Sequence, residues 1–163
     1  MLYVWQEDSP VSIENDDQFG KLAGDPAKVL WYDIEADGDA LRKRLNSLKM
    51  LHPLTIERIF ATQPRAFLDE FDEYLHILLQ QVFYEPGAEI SLDICHFILG
   101  SNYLITIHSQ PVTALETVKF PNIPGRFFSQ GSDILFYHLA LPLTNSCFRA
   151  LDTRFIFPPC PTG

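Results

Sequence analysis

The sequence is poor in several things, and each scarcity removes a class of function. It has three cysteines in 163 residues, Cys95, Cys147 and Cys160. They are far apart, odd in number and form no C-x-x-C pair, which excludes a disulfide framework and points to a reducing compartment. Basic residues are few, 12 Lys and Arg against 21 Asp and Glu, for a net charge of -9. Such a field repels nucleic acid and anionic membrane surfaces and draws in cations. No glycine-rich phosphate loop of the Walker or dinucleotide type occurs, and no G-x-S-x-G elbow. An enzyme is therefore not the expected reading, and no residue is singled out as catalytic or cofactor-binding. The first residues, Met1 to Asp8, lack the basic-then-apolar order of a secretion signal. The longest apolar run, Ile134 to Phe148, is broken by His138, Pro142 and Asn145. It falls short of the roughly 20 residues needed to cross a bilayer.

What is present is a core. Hydrophobic residues make up 47% of the chain and aromatics 13%, enough for one well-buried domain. Leu2 to Trp5 reads as a short strand, followed by an acidic, turn-rich segment through Asp25-Pro26. Val29 to Ile34 is a β-branched and aromatic strand. Asp37-Gly38-Asp39 offers a helix start, with Leu41, Leu45 and Leu48 near helical spacing behind it. His52-Pro53 ends that helix and opens a shorter one carrying Leu54, Ile56, Ile59 and Phe60.

From Ala66 the period becomes that of strands. Ala66 to Phe71, Tyr74 to Tyr84, Ile90 to Leu99 and Tyr103 to His108 form a meander, with a connection at Glu85 to Glu89 and a turn at Gly100 to Asn102. Both faces of this meander are apolar, so helices must cover both. The expected fold is α/β: a three-layer α/β/α sandwich with a mixed, mostly antiparallel sheet. Pro111 to Phe120 is expected to be helical and Pro121 to Gly125 a break. Ser132-Asp133 is expected to cap a last helix that Pro142 kinks or stops. The domain is drawn as residues 1–152, with 153–163 a Pro-rich, unstructured tail.

Three clusters invite a chemical reading. Asp33, Glu35, Asp37 and Asp39 alternate like the first half of a calcium loop, but the twelfth position is Arg44 where a bidentate Glu is required. A strand end and helix cap explain them better. His76, Cys95, His96 and His108 lie on the meander. If Tyr84 pairs with Ile90, His76 and His96 become diagonal neighbours on one face, with Cys95 on the other. Two imidazoles are too few for a closed zinc site, so these are read as half-buried structural histidines. Asp69-Glu70-Phe71-Asp72-Glu73 reads as a solvated turn, with a cation-attracting rim as the alternative. No metal ligand is assigned.

The order of segments resembles the CorA family of divalent-cation transporters, from about Val29 to Asp152. Trp31-Tyr32-Asp33-Ile34 is similar to the family's W-[IV]-D/N-[IVL] strand. His52-Pro53-Leu54 with Ile56-Glu57 matches H-P-L-x-x-E-D. Arg65 and then Asp72-Glu73-Tyr74-Leu75 stand where the family has R-P-K and its next strand. Phe97 to His108 resembles the family's hairpin, and Asp133 to Leu139 its D-x-L-L-Y-x-L helix start. The resemblance implies a cytoplasmic domain of a homopentameric magnesium and cobalt channel, shared in fold with the zinc-handling ZntB branch. It implies self-association, divalent cations as partners and Mg²⁺ as a weak regulatory ligand, with no required cofactor. Membrane contact would come only through a C-terminal transmembrane region that is missing here, as are the stalk and the G-M-N pore signature. The sequence departs where the family has the Asp of its intersubunit metal site: here Arg58 follows Glu57, and a guanidinium cannot ligate a cation. That leaves an alternative, a stand-alone interaction module that kept the fold and lost metal sensing.

Overall fold

The computed structural model describes residues 1–6, 9–13, 18–62, 65–83, 91–116 and 125–156. Seven strands and six helices follow in the order β1 (Leu2–Gln6), β2 (Ser9–Ile13), α1 (Phe19–Ala23), β3 (Leu30–Glu35), α2 (Gly38–Ser47), α3 (Pro53–Ile59), β4 (Phe67–Glu70), β5 (Tyr74–Phe83), β6 (Ser91–Gly100), β7 (Tyr103–His108), α4 (Thr113–Glu116), α5 (Gly125–Phe128) and α6 (Ser132–Ile156). The strands form a single sheet in the order β2-β1-β3-β7-β6-β5-β4. Among the described residues only β3 and β7 pair in parallel; the other neighbours are antiparallel.

Strand alternation sorts the apolar side chains into two cores. On one face Leu2, Val4, Leu30, Tyr32, Ile34, Ile98, Ile105 and Ile107 meet Phe19 of α1 and Leu41 and Leu45 of α2. On the other, Tyr3, Trp31, Ile77, Cys95, Phe97 and Leu104 meet Leu115, Phe128, Leu135, Leu139 and Leu143. The three-layer sandwich and the mostly antiparallel sheet are therefore as expected, and the double apolar meander is their cause.

The register of β5 and β6, Phe83 opposite Ser91 and Tyr74 opposite Gly100, is the one a Tyr84–Ile90 pairing predicts. The connection itself, at residues 84–90, lies outside the described residues. At the other end of β6, Gly100 enters the β6–β7 turn under the ring of Tyr103. A Cβ built there would lie 2.2 Å from the ring. Gly100→Ala is expected to destabilise the domain by about 1–3 kcal/mol through overpacking, read as a lower urea midpoint with an unchanged m-value.

Several local expectations are corrected. The acidic N-terminal segment contains β2 and α1, whose Phe19 is wholly buried; both are too short for a periodicity to stand out. The helix expected from Pro111 runs Thr113–Glu116, and 117–124 lie outside the described residues. The break expected at Pro121 to Gly125 lies outside the described residues except for Gly125, where a short α5 starts. Ser132 does not cap α6. Its hydroxyl donates to the carbonyls of Gly100 (2.7 Å) and Ser101 (3.2 Å), tying the helix start to the β6–β7 turn. Pro142 does not stop the helix, which runs on to Ile156, past the boundary at 152. Leu135, Leu139 and Leu143 hold it to the sheet, and that packing outweighs one lost hydrogen bond. Residues 157–163 lie outside the described residues.

Candidate functional site

Two buried polar clusters lie on opposite faces of the sheet. The first spans the parallel β3–β7 pair, whose register sets Asp33 opposite Thr106 and Glu35 opposite His108. Trp31 Nε1 donates to Thr106 Oγ1 (3.0 Å), and Thr106 Oγ1 donates to Asp33 Oδ1. His108 Nε2 lies 3.0 Å from the same Asp33 oxygen, and its Nδ1 lies 2.6 Å from the Gln110 carbonyl oxygen. The Gln110 carbonyl can only accept, so Nδ1 donates to it, and a single proton lies between Nε2 and the Asp33 carboxyl. Asp33 and His108 are 3% and 2% exposed, so this is a buried, charge-neutral pair. The sequence reading placed Asp33 at a strand end beside a helix cap. Asp33 is instead the anchor of this cluster, and Asp37, at the N-cap of α2, makes no side-chain cap bond.

The second cluster joins β5 and β6 on the α2–α3 side. His76 Nε2 and His96 Nδ1 are 3.0 Å apart with rings stacked, and Phe67 of β4 packs edge-on against His76. The diagonal neighbourhood of these histidines is as the register predicts, and Cys95 points to the other core. Their burial is not: they are 0% and 4% exposed, not half-buried. His76 Nδ1 is buried with no partner. Burial pushes His76 down to about 4, against a smaller upward pull from Asp69 and a smaller downward push from Arg58. Burial, then His76 itself, pushes His96 down to about 3. Both rings are neutral at pH 7.

Near the surface above this pair, Arg58 of α3 reaches over β4. Its Nε lies 3.4 Å from Asp69 Oδ2, and its guanidinium stands 5.2 Å over the Phe67 ring. The acidic stretch Glu70 to Glu73 lines a cleft of about 620 Å³ shared with Lys49 and His52. Among the described residues, no group of three or more His, Cys, Asp or Glu is arranged to hold a metal ion. A smaller cavity of about 220 Å³ brings His96 and His108 near Thr62 and Ser109. Both ring nitrogens of His108 are engaged elsewhere, with Gln110 and Asp33, and neither is directed at Ser109 by a hydrogen bond.

The model of the family described as CorA-like Mg²⁺ transporter protein matches residues 26–153. The chain belongs to that family. Solved structures agree on the CorA fold. The full-length CmaX protein superposes with a TM-score of 0.72 at 18% identity, covering 95% of this chain and 48% of that one. The soluble domain of CorA from Methanocaldococcus jannaschii gives 0.67 at 19%, covering 96% and 60%. The ZntB cytoplasmic domain from Vibrio parahaemolyticus gives 0.61 at 15%, covering 78% and 52%. This CorA-family chain thus spans about half to three-fifths of those chains. The comparison with curated proteins returns no match. Among the described residues, no helix is long and apolar enough to cross a membrane. The sequence singled out Arg58 as the family departure, but not its partner Asp69 across the α3–β4 connection. Nor did it find the Asp33–Thr106–His108 cluster, in which Asp33 stands more than 70 positions from its two partners in sequence.

Proposed function

We propose that this chain is the cytoplasmic regulatory and assembly domain of a CorA-type magnesium and cobalt transporter, and that it works in assembly rather than in cation sensing. The carrying observation is Arg58. It occupies the position at which the family resemblance requires a carboxylate, and it is committed to Asp69 and Phe67. A guanidinium there supplies permanently the positive charge that a bound cation would supply reversibly. The acidic surface still concentrates divalent ions loosely, so Mg²⁺ remains a weak ligand at most. Self-association and attachment to a pore on the cytoplasmic membrane face belong to the same reading. A stand-alone interaction module with the same fold is the second reading, favoured by the same ion pair.

The test is a melting curve in 10 mM MgCl₂ against NaCl of equal ionic strength. A site with millimolar affinity present only in the folded state adds about 1.4 kcal/mol at ten times its dissociation constant, or roughly 3 °C for a chain of this size. The expected shift is below 1 °C. A rise of several degrees would restore cation sensing to the domain and overturn the substitution of metal by Arg58.

A further inference from the structure

The cavity of about 220 Å³ opens between the sheet and the α2–α3 layer, on the face away from α6. Thr62 and Ser109, both exposed, stand at its mouth. Its walls are Leu41 of α2, Ile94 of β6 and Ile107 of β7, and its floor is His96, which is 4% exposed. An apolar cavity of about 150 Å³ already holds a benzene ring. This one has room for such a ring with a short polar substituent. Among the described residues no Asp, Glu, Lys or Arg lines it. His108 borders it, but its ring nitrogens are engaged with Gln110 and Asp33. His96 is the polar side chain left to meet an occupant in the interior.

The histidine pair decides what His96 presents. Its Nδ1 faces His76 Nε2 at 3.0 Å, so its Nε2 is the nitrogen left for the cavity. Burial keeps both rings neutral, so each carries one N–H, and one proton lies between them. If His96 gave that proton, His76 would carry its own N–H on Nδ1, a buried atom with no partner. If His76 gives it, Nδ1 is a bare lone pair, and proteins tolerate a buried orphan acceptor more often than an orphan N–H. The second arrangement puts the His96 proton on Nε2, a buried donor turned to the cavity. An uncharged donor does not suit a cation, which needs oxygen ligands. Nor does it suit an anion, which a net charge of -9 also repels. The geometry points to a binding site for a small neutral carbonyl compound, its ring against Leu41, Ile94 and Ile107 and its oxygen accepting from His96 Nε2. The site is independent of the cation-sensing and assembly readings above.

Two-dimensional ¹H–¹⁵N NMR tests it, with acetophenone as the probe. The control is α-methylstyrene, the same shape with CH₂ in place of the carbonyl oxygen. Acetophenone is expected to shift the amide signals of Ile94, His96 and Ile107 with a dissociation constant on the order of 1 mM, ordinary for so small a ligand. α-Methylstyrene should bind about tenfold more weakly, the effect of one hydrogen bond left unmade. Long-range spectra of the imidazole nitrogens should show His96 protonated on Nε2. Thr62→Trp, a change at the exposed mouth, should weaken acetophenone about tenfold or more by blocking entry. His76→Leu with His96→Leu removes the donor without orphaning a ring nitrogen, and should bind the two probes alike. Absence of shifts at 5 mM acetophenone, equal affinity of the wild type for both probes, a proton on His96 Nδ1, or shifts indifferent to Thr62→Trp would overturn the inference.

Discussion

Asp33→Asn is expected to lower the free energy of unfolding by about 3–5 kcal/mol, the cost of breaking a buried carboxyl–imidazole pair from one side. The amide keeps the shape and can still accept a hydrogen bond from Thr106, so cavity formation contributes nothing to the loss. What disappears is the acid that shares a proton with His108. The ring then either holds a buried charge without a counter-ion or loses the partner of its Nε2. A domain of this size is stable by about 5–15 kcal/mol, so the substitution removes a large share. Thr106→Val should cost less, about 1–3 kcal/mol, since it orphans neutral groups, the Trp31 indole N–H among them.

A double-mutant cycle makes the argument sharp. If Asp33 and His108 are a pair, Asp33→Asn combined with His108→Gln should cost clearly less than the two single changes added. Additive losses, or an Asp33→Asn loss below 1 kcal/mol in urea at pH 7, would mean that the two groups do not share a proton. The location gives the pair its structural weight. The β3–β7 contact is a parallel junction, and it joins the N-terminal strands to the meander. The Trp31–Thr106–Asp33–His108 chain crosses that junction, so a register slip there would break every bond in it.

The parts of this molecule that the sequence makes legible are those written locally. The apolar alternation of Tyr74 to His108 fixes three strands, and turn chemistry sets the β5–β6 register that brings His76 beside His96. The requirement that both apolar faces be covered yields the layers. What stays hidden is written across distance. The three strands Leu30–Glu35, Tyr103–His108 and Leu2–Gln6 meet only through the topology, and a parallel pairing leaves no turn signal. Asp33 therefore reads as one more acid in an acidic run, although Thr106 and His108 surround it. Ser132 reads as a cap because its type suits one, yet a buried carbonyl pair on the neighbouring turn competes successfully for its hydroxyl. Pro142 reads as a stop because local propensity says so, and the leucine stripe beneath it decides otherwise.

The second large effect expected is acid destabilisation through the histidine pair. Both rings are held neutral in the folded state, with values near 4 for His76 and near 3 for His96, against 6.5 for an unburied histidine. Above pH 6.5 neither folded nor unfolded chain protonates these groups, and they exert no pH-dependent effect. As the pH falls below 6.5 the unfolded chain binds protons that the folded one refuses, so stability drops, and it keeps dropping until the folded values are reached between pH 4 and 3. For the two rings together the loss by pH 4.5 is about 5 kcal/mol, two pH units at about 1.4 kcal/mol for each ring. The charges that face the pair from neighbouring elements are Asp69 on β4 and Arg58 on α3. Their opposing effects on His76 leave burial as the governing cause.

Carboxylates elsewhere also lose their charge in acid, so the wild-type curve alone does not isolate the rings. Replacing both partners of a buried hydrogen bond with apolar residues of similar volume is nearly neutral, which makes His76→Leu with His96→Leu the discriminating variant. At pH 7.5 its urea midpoint should match the wild type within about 1 kcal/mol. At pH 4.5 it should exceed the wild type by about 5 kcal/mol, because its core no longer contains groups that the unfolded chain protonates. Parallel stability–pH curves for the two proteins would show that these histidines are solvated in solution and that the sealed packing around Phe67 does not hold.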